Sequence, residues 1–195
     1  MGANNVFIGT GSGQDNLTGN HNVFIGYKTG KKITTGVNNV IIGDSAGYAN
    51  EAGYANTFIG NEAGTSNVDG SHNTFMGDMA GQTISSGLYN TFIGSQSGQL
   101  ASAGSYNVFL GHNAGRDHNL GDENVYIGFE SGYGYTIAED NNGARNVYIG
   151  YQCGYYNTTG NDNVYIGNES GFENTTGFQN VYIGSGAGKD NTEGM

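Results

Sequence analysis

Asn5-Val6-Phe7-Ile8-Gly9 is the first copy of a phrase that returns at Asn22, Asn39, Asn56, Asn73, Asn90, Asn107, Asn124, Asn146, Asn163 and Asn180. Successive copies lie 17 residues apart, except for one interval of 22 between Asn124 and Asn146. A fixed period of this order marks stacked units that bury a core only against their neighbours. The reading is therefore an all-β fold, a parallel β-solenoid (β-roll) of eleven coils of about 17 residues, forming a single repeat domain over 1–195.

Within each phrase only a short strand is convincing, because β-branched and aromatic residues follow one another. Side chains alternate faces along a strand. The Val/Thr column (Val6 to Val181) and the Ile column (Ile8 to Ile183, with Met76 and Leu110 as departures) thus share one face. The aromatic column takes the other: Phe7, Phe24, Phe58, Phe75, Phe92, Phe109, Tyr126, Tyr148, Tyr165 and Tyr182, with Ile41 as the one aliphatic member. A strand apolar on both faces is expected to be covered on both. Leaving eleven such side chains in water would cost on the order of 15–30 kcal/mol, more than the ~5–15 kcal/mol that holds a domain together. One face is therefore expected to fill the coil and the other to pack against a second sheet, most simply the same ladder in sister chains around a symmetry axis. The aromatic column is the candidate core or oligomer ladder, and the pattern leaves open which face is which.

Three unbroken Gly columns, from Gly9, Gly13 and Gly19 onward, predict about three corners per coil. A column of small residues (Ser12, Thr29, Ala46 and on to Ala187) predicts a thin coil with these residues opposite the Ile ladder. Each phrase-opening Asn fits either a coil-to-coil amide ladder or a local turn bond. Tyr replaces Phe from Tyr126 onward, so that end of the ladder is expected to be wetter or hydrogen-bonded. Thr57, Thr74 and Thr91 interrupt the Val column and, if they face the core, could bond a carbonyl. Eleven coils at ~4.8 Å per rung make a rod roughly 50 Å long.

The net charge of −11, with six basic residues, argues against nucleic acid as a partner. No stretch of about 18 apolar residues is present for a membrane span. The single Cys153 stands in the small-residue column and is read as packing. His21, His72, His112 and His118 fall in different columns or several coils apart, too far to share an ion, and His112 and His118, within one coil, are expected to be solvated. No catalytic set, metal site or cofactor motif emerges, so no enzyme activity is expected. Neither end carries a capping segment, which fits an excised section of a longer fibre or an end-to-end filament.

The five extra residues of the eighth unit fall at about 133–142. Insertions in repeat arrays bulge on one face, and Tyr133, Tyr135, Glu139 and Asp140 are the candidate ligand-contact loop. Tyr155 and Tyr156 are further candidate platforms for a glycan. Ice binding would need regular Thr pairs, but Thr34-Thr35, Thr158-Thr159 and Thr175-Thr176 recur only in part.

Asn56-Thr57-Phe58-Ile59-Gly60-Asn61-Glu62-Ala63-Gly64, with Asn157-Thr158-Thr159-Gly160 and Asn174-Thr175-Thr176-Gly177 as spacers, resembles the repeats of bacterial and phage tail-fibre-like proteins. Those often end in an endosialidase-type chaperone domain, which these residues do not include. More distantly, the chain resembles the parallel β-roll heads of trimeric autotransporter adhesins, from whose Asn-Ser-Val-Ala-Ile-Gly phrase it differs in spacing by one residue. The resemblance implies a trimeric structural or adhesive shaft or head, outside the cell, at the cell surface or on a virion, meeting a glycan or receptor. It carries over no catalytic residue.

Overall fold

In the computed structural model, which describes residues 2–134 and 142–193, the repeat becomes eleven three-residue strands. They are β1 (Val6–Ile8), β2 (Val23–Ile25), β3 (Val40–Ile42), β4 (Thr57–Ile59), β5 (Thr74–Met76) and β6 (Thr91–Ile93). The series continues with β7 (Val108–Leu110), β8 (Val125–Ile127), β9 (Val147–Ile149), β10 (Val164–Ile166) and β11 (Val181–Ile183). Each pairs in parallel with the next, in sequence order and like column on like column: Phe75 stands on Phe92, Thr74 on Thr91. The chain is a β-solenoid of about ten turns.

The aromatic column fills the coil. Phe24, Phe58, Phe75, Phe92, Phe109, Tyr148 and Tyr165 are fully buried. Their rings stack almost parallel at 4.6 to 4.9 Å between centroids. Offset stacking adds about 0.5–1.5 kcal/mol per pair beyond burial. A space opposite each strand admits the ring. At Gly98, where φ is +57°, a Cβ would lie 2.5 Å from the Phe92 ring. The second glycine of each unit is thus a corner and the floor of a ring slot.

The small-residue column lies beside the aromatic ladder, a correction to its expected place opposite the Ile residues. Ala46, Ala63, Ala80 and Ala114 are fully buried in the aromatic cluster. Ser and Cys serve there because each donates to the carbonyl of the next coil's aromatic residue, Ser97 Oγ to Phe109 O at 3.1 Å and Cys153 Sγ to Tyr165 O at 3.2 Å. Burial pushes the Cys153 thiol up to about 12, so it packs as an unreactive thiol.

The phrase-opening asparagines form the coil-to-coil ladder. Asn39 donates its backbone N–H to Asn22 Oδ1 at 2.9 Å, and its Nδ2 reaches Gly53 O at 2.8 Å, closing its own coil. The arrangement recurs at Asn90, Asn107 and Asn163. Across the insertion, Asn124 Nδ2 still reaches Gly143 O at 2.9 Å, and Asn146 N reaches Asn124 Oδ1 at 2.9 Å. Gly134 N bonds Tyr155 O and Gly143 N bonds Thr158 O, so the coil-to-coil bonding is in place at both of these residues.

The corners differ from the expected three. The described members of the third glycine column have no positive φ, and from Gly19 to Gly160 they are closed to larger types by the carbonyl of the next coil. Two corners are instead left-handed at side-chain-bearing residues, one column running from Lys28 to Glu169 and the other from Asn4 to Gln179, with φ between 48° and 61°. Such a backbone is uncommon outside glycine. Interstrand bonds to the same corner of the adjacent coil, such as Glu62 N to Asp44 O at 2.8 Å, hold it.

The expectation of a wetter or hydrogen-bonded tyrosine end is met at Tyr182, whose hydroxyl accepts from Asn191 Nδ2 at 2.5 Å, but not at Tyr148 and Tyr165, whose hydroxyls are buried without a partner. The Tyr148 hydroxyl is buried beside the Asn163 amide without hydrogen-bond geometry, and burial raises its pKa well above the usual phenol range. His118, expected to be solvated, is also interior. It stands edge-on to the Phe109 and Tyr126 rings and 3.0 Å from Asn124 Nδ2. Burial lowers its pKa to about 4 from an ordinary 6.5. The neutral ring is native, while the unfolded chain takes up the proton below 6.5. Stability is therefore expected to fall by about 3 kcal/mol as pH drops from 6.5 to about 4, then level off. Denaturation of the native chain and of His118→Asn across this range measures that difference, since asparagine fills the same column elsewhere.

That column holds Ile33, Asn50, Asn67, Ile84, Ala101 and His118, all buried. Neither polar atom of the Asn67 amide has a partner. Asn67→Ile is expected to raise stability by roughly 1–3 kcal/mol, read as the shift of the chemical denaturation midpoint.

Candidate self-association face

With the aromatic column inside, the outward sheet face carries the Val/Thr and Ile columns. Thr57, Thr74 and Thr91, expected to bond a carbonyl if they faced the core, also point outward. Mid-rod side chains are shielded mainly by the rungs above and below. Ile93 keeps 40 % of its surface, Met76 37 % and Val40 37 %, while Val181 and Ile183 on the last rung keep 66 % and 69 %. The 17 acidic and 6 basic residues of the chain are wholly absent from the 22 positions of these two columns. A solvated sheet face ordinarily alternates to polar residues. This one does not.

Aromatic stacks border the strip in sequence. Just before the strands, His72, Tyr89 and Tyr106 stack at 4.7 and 5.2 Å, with Tyr54 edge-on to His72 at 5.0 Å. Just after them, Phe129 and Tyr151 stack at 5.5 Å. These rings repeat because the period places equal residue types on equal positions of successive coils.

Of the four proposed ligand-contact residues, Tyr133 is among the described ones. Tyr135, Glu139 and Asp140 lie outside the described residues. Tyr133 stacks on Tyr155 at 5.0 Å, and Tyr155 stacks on Phe172 at 5.2 Å. Tyr156 stands edge-on to Tyr155 and Phe172. Arg116 covers Tyr133 and Lys189 covers Phe172, each 5.5 Å from the ring centroid. A sugar ring needs an open aromatic face, and in this row each face is taken by a neighbouring ring or a cation. Tyr133 and Tyr155 therefore hold a corner together.

Among the described residues, ion pairs form at Arg116–Asp117, Arg145–Asp162 and Lys189–Glu169. The Arg145 guanidinium bonds both carboxylate oxygens of Asp162, at 2.6 and 3.1 Å, and holds that carboxyl below its usual range. Burial raises Asp117, partly offset by Arg116. Among the described residues no group of three His, Cys, Asp or Glu side chains converges. A hollow of about 440 Å³ on the first coil, lined by Gly2, Asn4, Asn5, Phe7, Gly13, Gln14 and Asn16, has no titratable side chain. No described helix is long and apolar enough to cross a membrane.

Sequence reasoning placed the outward columns together but not outward. The missed signal was the glycine facing every ring. Compared with protein-family models, characterised proteins and solved structures, the chain matches none.

Proposed function

We propose that this chain is a rigid structural segment, a shaft or head, of an extracellular fibre at a cell surface or on a virion, in which copies associate side by side, most simply as a homotrimer. One observation carries the reading: an uncharged apolar strip runs the length of a chain with net charge −11. A three-residue strand is ~10 Å wide and eleven rungs are ~50 Å long, so the strip presents on the order of 500 Å² per copy. Two such surfaces reach the ~1,000 Å² at which specific interfaces begin. Closed rotational symmetry covers the strip without leaving a free face. The sequence resemblance to fibre and adhesin repeats supports the extracellular placement and an adhesive role.

Sedimentation velocity at micromolar concentration is expected to show one discrete oligomer. Ile59→Glu combined with Ile93→Glu is expected to yield monomers with unchanged circular dichroism, because both side chains point away from the coil interior. A monomeric native chain would refute the assembly, and a lengthening series of species would replace the closed oligomer with a filament.

A further inference from the structure

The outward Val column is interrupted at three consecutive rungs by Thr57, Thr74 and Thr91, which pair in register with one another. The column reads Val at Val6, Val23 and Val40, Thr for three rungs, then Val again from Val108 to Val181. Each threonine is partly buried on the outer face within one chain. Placing a hydroxyl in a contact between chains requires a hydrogen-bond partner, and a valine methyl supplies none.

We propose that Thr57, Thr74 and Thr91 are the register key of the self-association face, meeting the same residues of neighbouring copies. This rests on the side-by-side assembly proposed above. The partner is a second copy of this chain, aligned parallel and without axial offset. That alignment puts threonine layers together at three levels and keeps all eleven rungs in contact. Sliding one copy by a single rung leaves a threonine of each chain against valine. Each unpaired hydroxyl disfavours the slipped state about tenfold. An antiparallel pair centred on Thr74 also matches threonine with threonine, but it strands the last two rungs without a partner. Without the three threonines the strip is an almost uniform Val/Ile ladder, whose registers differ only in overlap. A polar residue in an apolar contact plays this registering part in coiled coils, at some cost in affinity.

The test uses single cysteines on the full chain, with the buried, proton-retaining Cys153 left in place. Oligomeric state is first measured on the unmodified chain. If it is monomeric, the parent reading fails and this one with it. If it assembles, mild oxidation of Thr74→Cys is expected to give interchain disulfides, and Met76→Cys is expected to give at least tenfold fewer. Predominant Met76→Cys cross-linking in an assembled protein would overturn the key alone.

Register is read from mixtures of Val108→Cys and Val125→Cys chains. Same-position products are expected to exceed the one-rung cross-product by about tenfold or more. With Thr57→Val, Thr74→Val and Thr91→Val together, the ratio is expected to fall toward one while assembly persists. An unchanged ratio in that triple variant would overturn the proposal.

Discussion

Gly94→Ala is expected to lower stability by about 4 kcal/mol and to loosen the rod between β6 and β7. Two effects add. The backbone at Gly94 has φ +132°, which side-chain-bearing residues rarely adopt and which costs about 1–3 kcal/mol. A Cβ there would also press on the Gly111 carbonyl of the next coil, within contact distance of Gly111 C and 3.1 Å from His112 N. Overpacking of this kind adds about 1–3 kcal/mol. The obstacle is the backbone of the neighbouring coil, so it cannot turn aside as a flexible side chain would. Gly184→Ala separates the two effects. Its φ is +127°, yet a Cβ at that position meets nothing within 4 Å. It is expected to show the conformational cost alone, about half the loss. Thermal unfolding midpoints should fall by roughly 8–16 °C for Gly94→Ala. Hydrogen exchange should place the loss of protection at β6 and β7. Equal losses in both variants would remove the close approach of neighbouring coils from the explanation.

Asn90→Asp is expected to be comparably damaging at neutral pH although it changes a single atom. The Asn90 Nδ2 donates to Gly104 O at 2.7 Å and to Asn73 Oδ1 at 3.2 Å, and Oδ1 accepts from Asn107 N at 2.9 Å. A carboxylate keeps the acceptor role. Its second oxygen would then face two other oxygens in a fully buried position. An uncompensated buried charge costs about 3–5 kcal/mol. Protonation restores a donor toward Gly104, so the carboxyl of the folded variant titrates above its unfolded value. The variant is therefore least impaired in acid and loses stability as pH rises through the carboxylate range. Urea denaturation of native chain and variant at pH 4 and pH 7 should show the gap widening with pH. A gap independent of pH would mean the second oxygen has found solvent.

Much of this architecture could be read before any coordinates. The interval between asparagines gave the number of rungs, and alternation gave the two columns on one strand face. The register of Thr74 on Thr91 follows from the period alone. The inner face was not legible from hydrophobicity, since Phe and Ile are nearly equivalent by that measure. It is decided by volume: a ring fits over Gly98 because nothing occupies the opposite wall. The left-handed corners at Lys28 and Tyr89 carry no sequence signature, as any residue type stands there and the ladder bonds impose the conformation. His118 was misjudged for a related reason. Its column mixes Ile, Asn and Ala, so no single residue type announces an interior position.

Asn146 sits on Asn124 across 22 residues as its counterparts do across 17, so at the seam of the eighth unit the rungs stay in register as though nothing had been added. Extra residues at that seam need not be negotiated with the spine. Such a chain can grow by whole storeys and be ornamented at a balcony, and the two kinds of change proceed independently. A peptide tag spliced between Gly134 and Gly143 would therefore ride on the rod without retuning its pitch.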